Sequence, residues 1–204
     1  MKRIVLVVDA MGVLYESADD VAELLVPFVN ENGGESDPGA IERQYLEASL
    51  GRISAATFWR NVDVSPTLED KYLARHRLAD DLPIFLQNLP EVVASLWCLS
   101  NDVSEWSRKL RTQHGLTDQF SGFVISGDVG IRKPSPGIYQ CLLARIGRSA
   151  SECIFVDDRS RNLEAASVIG FQTVLFDRSF KKKTSEYQVV RSFSDLASRL
   201  KNLS

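Results

Sequence analysis

Short runs of apolar, mostly β-branched residues alternate with amphipathic segments along most of this chain. The first run, Ile4 to Val8, holds five consecutive apolar residues and ends at Asp9. A run of this kind, bounded by polar residues, is typical of a strand that is buried on both faces. Further runs with the same character predict strands at residues 92–99, 123–126, 153–156 and 172–176, with an edge strand at 189–193.

Segments with helical periodicity lie between the later strand-like runs. They predict helices at residues 104–114, 136–146, 159–169 and 194–203, and a short helix or a return crossing at 84–89. Strands that alternate with helices are typical of a parallel sheet with right-handed crossovers. The pattern therefore predicts an α/β fold.

Four helical patterns follow one another between the first and second strands, with no strand pattern among them. They cover residues 17–30, 38–50, 54–61 and 67–77, and Ser17 is a candidate N-cap for the first. We interpret residues 16–82 as a small helical cap, and residues 1–15 and 83–204 as the core. His76 lies near the basic end of the fourth helix, where we expect it to be exposed to solvent.

Composition narrows the range of partners. The chain has 204 residues and a formal net charge of -3, so it has no basic footprint for nucleic acid. No apolar run approaches the roughly 20 residues needed to span a bilayer, and the N-terminus lacks a signal cleavage site, so we expect a cytoplasmic protein.

Cys98, Cys141 and Cys153 have no metal-ligand spacing and are expected to be reduced core residues. Residues 181–183, three lysines, predict a solvated loop. The oligomeric state stays open.

Polar side chains stand at the ends of three predicted strands and in one loop. They are Asp9, Ser100, Asn101, Asp157 and Asp158 at the strand ends, and Lys133 in the loop before a helix. The ends of such strands converge on one crevice. Carboxylates from two strands can hold Mg²⁺, and a hydroxyl, an amide and a lysine can hold phosphate oxygens. A carboxylate beside a metal can also attack phosphorus.

Four motifs in this order resemble the haloacid dehalogenase (HAD) superfamily, whose members are mostly magnesium-dependent phosphatases. The motifs are D-A-M-G-V-L at 9–14, L-S-N-D at 99–102, G-I-R-K-P at 130–134 and I-F-V-D-D-R-S-R-N-L-E-A-A at 154–166. The resemblance covers essentially the whole chain and implies a Rossmann-like three-layer parallel sheet with an inserted small helical cap. Residues 51–60 resemble the cap of the branch that includes the N-terminal phosphatase domain of soluble epoxide hydrolase.

The resemblance implies a role for each acidic residue. Asp9 is the nucleophile and a Mg²⁺ ligand, and the backbone carbonyl of Met11 is a second ligand. Asp158 is a direct or water-mediated metal ligand. Asp157 supports the lysine and the metal shell, which Asn162 helps to order.

The resemblance also implies how a phosphorylated substrate is held. Ser100 and the backbone or side chain of Asn101 bind the phosphoryl group. Lys133 neutralises the charge of Asp9 and of the phosphate. The implied partner is a small phosphorylated molecule, whose identity the cap sequence does not reveal.

One position departs from the pattern of the family. Most of its phosphatases read D-x-D-G, and the second aspartate protonates the leaving group and then activates water. Here that position is Met11, which has no exchangeable proton. Proton transfer of this kind is typically worth about 10²–10⁴-fold in rate.

Three functions therefore stay open. The first, which we favour, is a phosphatase that uses another proton donor (Tyr15, Glu16 or a cap residue) or a substrate whose leaving group needs none. The second is a dehalogenase-type hydrolase, which is disfavoured because those relatives lack the acidic pair that this chain keeps at 157–158. The third is a weak or non-catalytic binding or regulatory protein in which Met11 fills the crevice.

Overall fold

Six parallel strands form one sheet at the centre of the protein. The computed structural model describes residues 3–178 and 187–202, so the predicted loop at 181–183 lies outside the described residues. The strand order is β3-β2-β1-β4-β5-β6, which places β1 between β2 and β4. The strands are β1 Ile4–Val8, β2 Val93–Ser100, β3 Gly122–Ile125, β4 Cys153–Asp157, β5 Gln172–Phe176 and β6 Gln188–Val190. This sheet confirms the predicted α/β, Rossmann-like fold class.

Side chains of β1 alternate between two apolar clusters, one on each face of the sheet. Leu6 and Val8 belong to one cluster, and Val5 and Val7 belong to the other. Successive residues of a strand point to opposite faces, so a strand that is apolar throughout requires cover on both sides. The five buried residues of β1 are therefore the reason that the fold has three layers.

Helices cover both faces of the sheet. They are α1 Val26–Glu31, α2 Pro38–Ser49, α3 Ala55–Asn61, α4 Glu69–Leu73, α5 Leu82–Gln87, α6 Ser104–Gln113, α7 Ser126–Val129, α8 Pro136–Ile146, α9 Ser160–Ile169 and α10 Phe193–Lys201. Buried side chains of α8 and α9 pack into one apolar cluster, and those of α5, α6 and α10 pack into the other. No helix among the described residues is both long and apolar enough to cross a membrane.

The first helix of the insertion begins later than the sequence predicts. It starts with a π-helical turn, Val21–Leu25, and continues as α1. Ser17 does not cap it, because Asp20 stands at the N-cap position; the carbonyl of Ser17 accepts a hydrogen bond from the N–H of Gly12 at 2.8 Å. The residues before the helix therefore return to the loop that follows β1.

The prediction of an exposed His76 is wrong. Helix α4 ends at Leu73, four residues before the predicted end, and the chain then turns inward. The His76 ring is buried, with its Nδ1 3.2 Å from the carbonyl oxygen of Leu73 and its edge against the rings of Tyr15 and Tyr72. The basic residues around it suggested a solvated helix end, whereas the turn after Leu73 places the ring in the core.

Other boundaries differ by a few residues. The segment at 84–89 is a helix rather than a return crossing, and it begins at Leu82. The short helix α7 lies between β3 and the loop that carries Lys133, where the sequence predicts no helix. Strand β6 ends at Val190 because Ser192 caps α10, its hydroxyl accepting the N–H of Asp195 at 3.0 Å.

The described residues of the insertion between β1 and β2 form helices, turns and isolated β-bridges but no strand, and the insertion is joined to the sheet layers by a buried polar contact. Glu69 Oε2 accepts the indole N–H groups of Trp59 and Trp106, both at 2.9 Å. Trp59 and Glu69 belong to the insertion, whereas Trp106 lies on α6 beside the sheet. The insertion therefore shares a continuous core with one face of the sheet. The division into a core and a cap with a boundary at residues 15–16 and 82–83 stays a prediction, as does the cytoplasmic location.

Candidate active site

Lys133 connects two buried carboxylates that leave neighbouring strands. Asp9 follows β1 directly, and Asp157 ends β4. The Nζ atom of Lys133 lies 2.8 Å from Asp9 Oδ1 and 2.8 Å from Asp157 Oδ2, and it donates to the carbonyl oxygen of Leu99 at 2.8 Å. Three acceptors thus surround one ammonium group whose side chain is 1% exposed.

Asp157 is held by donors on both of its oxygens. Besides Lys133, it accepts the side-chain amide of Asn162 at 3.0 Å on each oxygen and the backbone N–H of Arg159 at 2.8 Å. A carboxylate with this many donors is fixed in orientation. The arrangement suits Asp157 to holding Lys133 in place.

Asp158 completes a cluster of three carboxylates. One oxygen each from Asp9, Asp157 and Asp158 lies within 4.8 Å of the others, and all three residues are buried. Burial raises the pKa of Asp9 to about 8; Lys133 opposes this rise, and Asp157 and Asp158 add to it. Burial lowers the pKa of Lys133, but the two carboxylates more than offset this, so its pKa stays above the usual value and the lysine is charged.

The cluster fits a hard divalent cation. Three buried carboxyl groups share one buried ammonium, and the raised pKa of Asp9 reflects the cost of ionising all three without a further cation. An all-oxygen donor set is the one that Mg²⁺ and Ca²⁺ prefer. The residues present therefore suit the metal that the motifs imply.

Gly12 gives Asp158 the room to approach Asp9. Its φ is +77°, and a Cβ atom at this position would lie 2.8 Å from both Cγ and Oδ2 of Asp158. Only a residue without a side chain allows this backbone conformation and this close approach. The glycine of the first motif thus has a direct structural function in the acidic cluster.

Ser100 ends β2 and Asn101 follows it, on the strand next to β1, and their side chains make different contacts. The hydroxyl of Ser100 is buried and has no hydrogen-bond partner among the described residues. The side chain of Asn101 accepts the N–H of Lys133 at 2.8 Å and donates to the carbonyl oxygen of Lys133 at 2.9 Å. Because both ends of this amide are engaged, its side chain positions the Lys133 loop.

These residues open onto a cavity of about 510 Å³. Asp9, Met11, Ser100, Asn101 and Lys133 lie on its wall, which comes from the strand ends. Met11 is 6% exposed, so its side chain forms part of the wall and offers no proton there. The structure therefore brings together all of the predicted site residues, with Asp157 behind Lys133 and Asp158 beside Gly12.

The insertion supplies most of the remaining cavity wall, and sequence reasoning did not identify its lining residues. They are Asp19, Asp20, Val21, Gly39, Glu42, Arg43, Tyr45 and Leu46. The core adds Arg132 and Arg159, which were not identified either, and Asn162, which the family resemblance implied. Hydrogen bonds hold the two sides together: Tyr45 donates to the carbonyl oxygen of Asn101 at 3.2 Å, and Ser126 donates to that of Ser49 at 2.6 Å. Arg132 also contacts the Ser49 hydroxyl.

Comparison with known proteins identifies the class. The family model of haloacid dehalogenase-like hydrolases matches residues 5–170. This match covers well over half of the chain, so the protein is a hydrolase that belongs to the haloacid dehalogenase-like family. The narrower resemblance to the soluble epoxide hydrolase branch stays a prediction.

Phosphatases are among its relatives. Phosphoserine phosphatase of Thermus thermophilus is 29% identical over 113 residues, which are 55% of this chain and 45% of that protein. Ribulose-1,5-bisphosphate 5-phosphatase of Halopiger xanaduensis is 29% identical over 116 residues, 56% of this chain and 48% of that protein. The matched segments thus span less than half the length of these relatives.

Solved structures share the fold across nearly the full chain. A HAD phosphatase from Thermococcus onnurineus has a TM-score of 0.73 at 20% identity and covers 97% of both chains. L-2-haloacid dehalogenase from Xanthobacter autotrophicus has a TM-score of 0.70 at 18% identity, covering 99% of this chain and 100% of that one. A HAD family enzyme from Bacteroides thetaiotaomicron, complexed with magnesium and inorganic phosphate, has a TM-score of 0.69 at 19% identity and covers 89% and 97%. At these identities the likeness establishes the fold alone.

Proposed function

We propose that this protein is a magnesium-dependent phosphatase of small phosphorylated metabolites that forms an aspartyl-phosphate on Asp9. The observation that supports it is the joint placement of a nucleophile, an ammonium group and a metal-suited acidic cluster on one cavity. Asp9 lies within 4.8 Å of two further carboxylates and 2.8 Å from Lys133. A cavity of about 510 Å³ suits a metabolite rather than a macromolecule.

Mg²⁺ would be held by Asp9, the backbone carbonyl of Met11 and Asp158, with Asp157 supporting the shell. When bound, it supplies positive charge to the phosphate oxygens. The Bacteroides thetaiotaomicron relative, complexed with magnesium and inorganic phosphate, supports this choice of metal.

The protein's own residues then carry out the transfer. A carboxylate oxygen of Asp9 attacks phosphorus while Lys133 balances its charge. The Ser100 hydroxyl, which has no hydrogen-bond partner in the described part of the chain, donates to a phosphoryl oxygen together with the backbone N–H of Asn101. The Asn101 side chain holds the Lys133 loop instead of the substrate.

The acidic pair disfavours the dehalogenase alternative, although the fold itself does not, since a dehalogenase has nearly the same TM-score as a phosphatase. Displacement of halide needs no metal, whereas this chain buries three carboxylates around one ammonium group. The binder alternative is favoured by one observation, the apolar Met11 side chain in the cavity wall.

The test is a screen of phosphorylated metabolites in MgCl₂ and in EDTA. We expect phosphate release that requires Mg²⁺ and is abolished by Asp9→Asn, while Asp128→Asn, which changes an exposed carboxylate outside the cavity, retains it. Chloride release from 2-chloropropionate that persists in EDTA would reverse the order of the two enzyme alternatives. A folded protein that binds metabolites but releases no phosphate would favour the binder.

A further inference from the structure

Three carboxyl groups on the cavity wall, Asp19, Asp20 and Glu42, are not used by the phosphoryl-transfer residues, and only Asp20 among them is buried. Asp20 lies on the insertion side of the cavity that also holds Asp9 and Met11. It is only 4% exposed, and its Oδ2 atom has no hydrogen-bond partner among the described residues. A buried polar atom without a partner is costly, so it requires an explanation other than stability.

Asp20 has no evident structural role in the turn where it stands. The π-helical turn Val21–Leu25 begins directly after it, yet its side chain forms no capping hydrogen bond. The neighbouring Asp19 takes that role, since its Oδ1 accepts the N–H of Ala22 at 3.2 Å. Irregular π turns of this kind are frequent at functional sites.

The surroundings of Asp20 allow it to exchange a proton near neutral pH. The charged and titratable groups around it, from the elements packed against it, are Asp19, Tyr45, Tyr72, Asp102, Arg132 and Arg159. Burial raises the pKa of Asp20 to about 6, and Arg159 opposes this rise. A general acid or base works best when its pKa lies near the operating pH.

We propose that Asp20 is the general acid and base of this site and replaces the proton-transfer group that Met11 lacks. The inference rests on the proposed phosphatase function. Met11 and Asp20 line the same cavity from two parts of the fold. Met11 lies in the loop after β1, and Asp20 directly precedes the π-helical turn of the insertion. In an in-line transfer the leaving group departs on the side away from Asp9, so a donor on the insertion side of the cavity is placed to protonate it.

The chemistry balances in two steps. In the first, a bond forms between Asp9 and phosphorus, the bond from phosphorus to the leaving oxygen breaks, and the Asp20 carboxyl gives its proton to that oxygen to release an alcohol. In the second, the Asp20 carboxylate takes a proton from water as the water oxygen attacks phosphorus. The Asp9–phosphorus bond then breaks, inorganic phosphate leaves, and Asp20 is protonated again.

The experiment compares two leaving groups in the wild type and in Asp20→Asn, with MgCl₂ present. An alkoxide from n-butyl phosphate needs a proton, whereas p-nitrophenolate from p-nitrophenyl phosphate does not. We expect the variant to lose about 10²–10⁴-fold in kcat on n-butyl phosphate. On p-nitrophenyl phosphate it should give a burst of one p-nitrophenolate per protein and then accumulate phosphorylated Asp9, because the water step lacks its base. The burst also shows that the variant is folded.

Two further variants sharpen the test. Glu23→Gln changes an exposed carboxylate in the same turn, outside the cavity, and should retain wild-type rates. Adding Met11→Asp to Asp20→Asn should restore turnover of n-butyl phosphate, since it returns a proton donor to the usual position of the family. Equal losses on both substrates without a burst, or no loss on either, would overturn the role of Asp20 while leaving the phosphatase intact. A wild type that releases no phosphate from either substrate would overturn the proposed function, and the role of Asp20 with it.

Discussion

Lys133 and Lys109 form a natural pair for measuring what burial contributes to an ion pair. Each lysine lies within 2.8 Å of two carboxylates: Lys133 contacts Asp9 and Asp157, and Lys109 contacts Glu69 and Asp70 at 2.7 Å. Their exposure differs greatly, since the Lys133 side chain is 1% exposed and that of Lys109 is 47% exposed. Replacing each by methionine removes the charge and keeps most of the side-chain volume.

Lys133→Met should lower the free energy of unfolding several-fold more than Lys109→Met does. Removing one partner of a buried ion pair leaves an uncompensated charge and typically costs about 3–5 kcal/mol. Lys133→Met leaves two buried carboxylates and the carbonyl oxygen of Leu99 without their donor, so we expect a loss in this range. Lys109→Met should cost about 0–1 kcal/mol, because solvent reaches Lys109 and Asp70, and Glu69, which is 12% exposed, keeps the two indole N–H donors of Trp59 and Trp106.

Urea unfolding in EDTA at pH 7.5 measures both losses without metal in the site. Repeating the experiment in 0.5 M NaCl should remove most of the Lys109→Met effect, since salt screens exposed charges and buried ones much less. The Lys133→Met loss should persist. Equal losses for the two variants, or a Lys133→Met loss that disappears in salt, would refute the reasoning that burial makes Lys133 the essential counter-charge of this site.

Two further predictions concern single residues in the core and at the site. Burial lowers the pKa of His76 from 6.5 to about 4, so the unfolded state binds this proton more tightly. The free energy of unfolding should therefore fall by about 3 kcal/mol between pH 6.5 and pH 4, with no such loss above pH 6.5. Urea unfolding at several pH values should show a smaller loss for His76→Phe, and an identical pH dependence would contradict the burial of this ring. For the site, Gly12 and Gly33 share a positive φ, +77° and +73°, so Gly12→Ala and Gly33→Ala should each lose about 1–2 kcal/mol from backbone strain, and Gly12→Ala should lose more because its Cβ also meets Asp158. Only a Cβ atom at position 12 would contact Asp158, at 2.8 Å. Calorimetric titration should therefore show weaker Mg²⁺ binding for Gly12→Ala alone. Equal Mg²⁺ affinities for the two variants would show that Asp158 can move aside without any loss of metal binding.

The strands and the acidic cluster could be predicted because short-range patterns determine them. A run such as Ile4–Val8, apolar at every position, has few alternatives to a strand buried on both faces, and its structure matches the prediction. Parallel strands then bring their carboxyl ends to one edge, which places Asp9 beside Asp157. The position of Lys133 followed from the family resemblance, and the structure adds its cause, the clamp by Asn101.

The insertion side of the cavity could not be predicted because long-range packing determines it. Helical periodicity identified the first insertion helix but gave no sign of its π turn, so it did not identify Asp20 as a candidate site residue. Which face meets the crevice depends on contacts such as Glu69 with Trp106, which are 37 residues apart. The burial of His76 could not be predicted for the same reason. It depends on the turn after Leu73, which no pattern in the neighbouring residues indicates.

Peptide mapping by mass spectrometry tests the central claim most directly, since it asks where the phosphoryl group goes. The protein is mixed with p-nitrophenyl phosphate, quenched in acid within the first turnovers and digested. The account predicts phosphate on Asp9 in the presence of Mg²⁺, with none in EDTA or in Asp9→Asn. Rapid release of phosphate by a protein whose Asp9 is never modified, or whose Asp9→Asn variant remains as active, would contradict it.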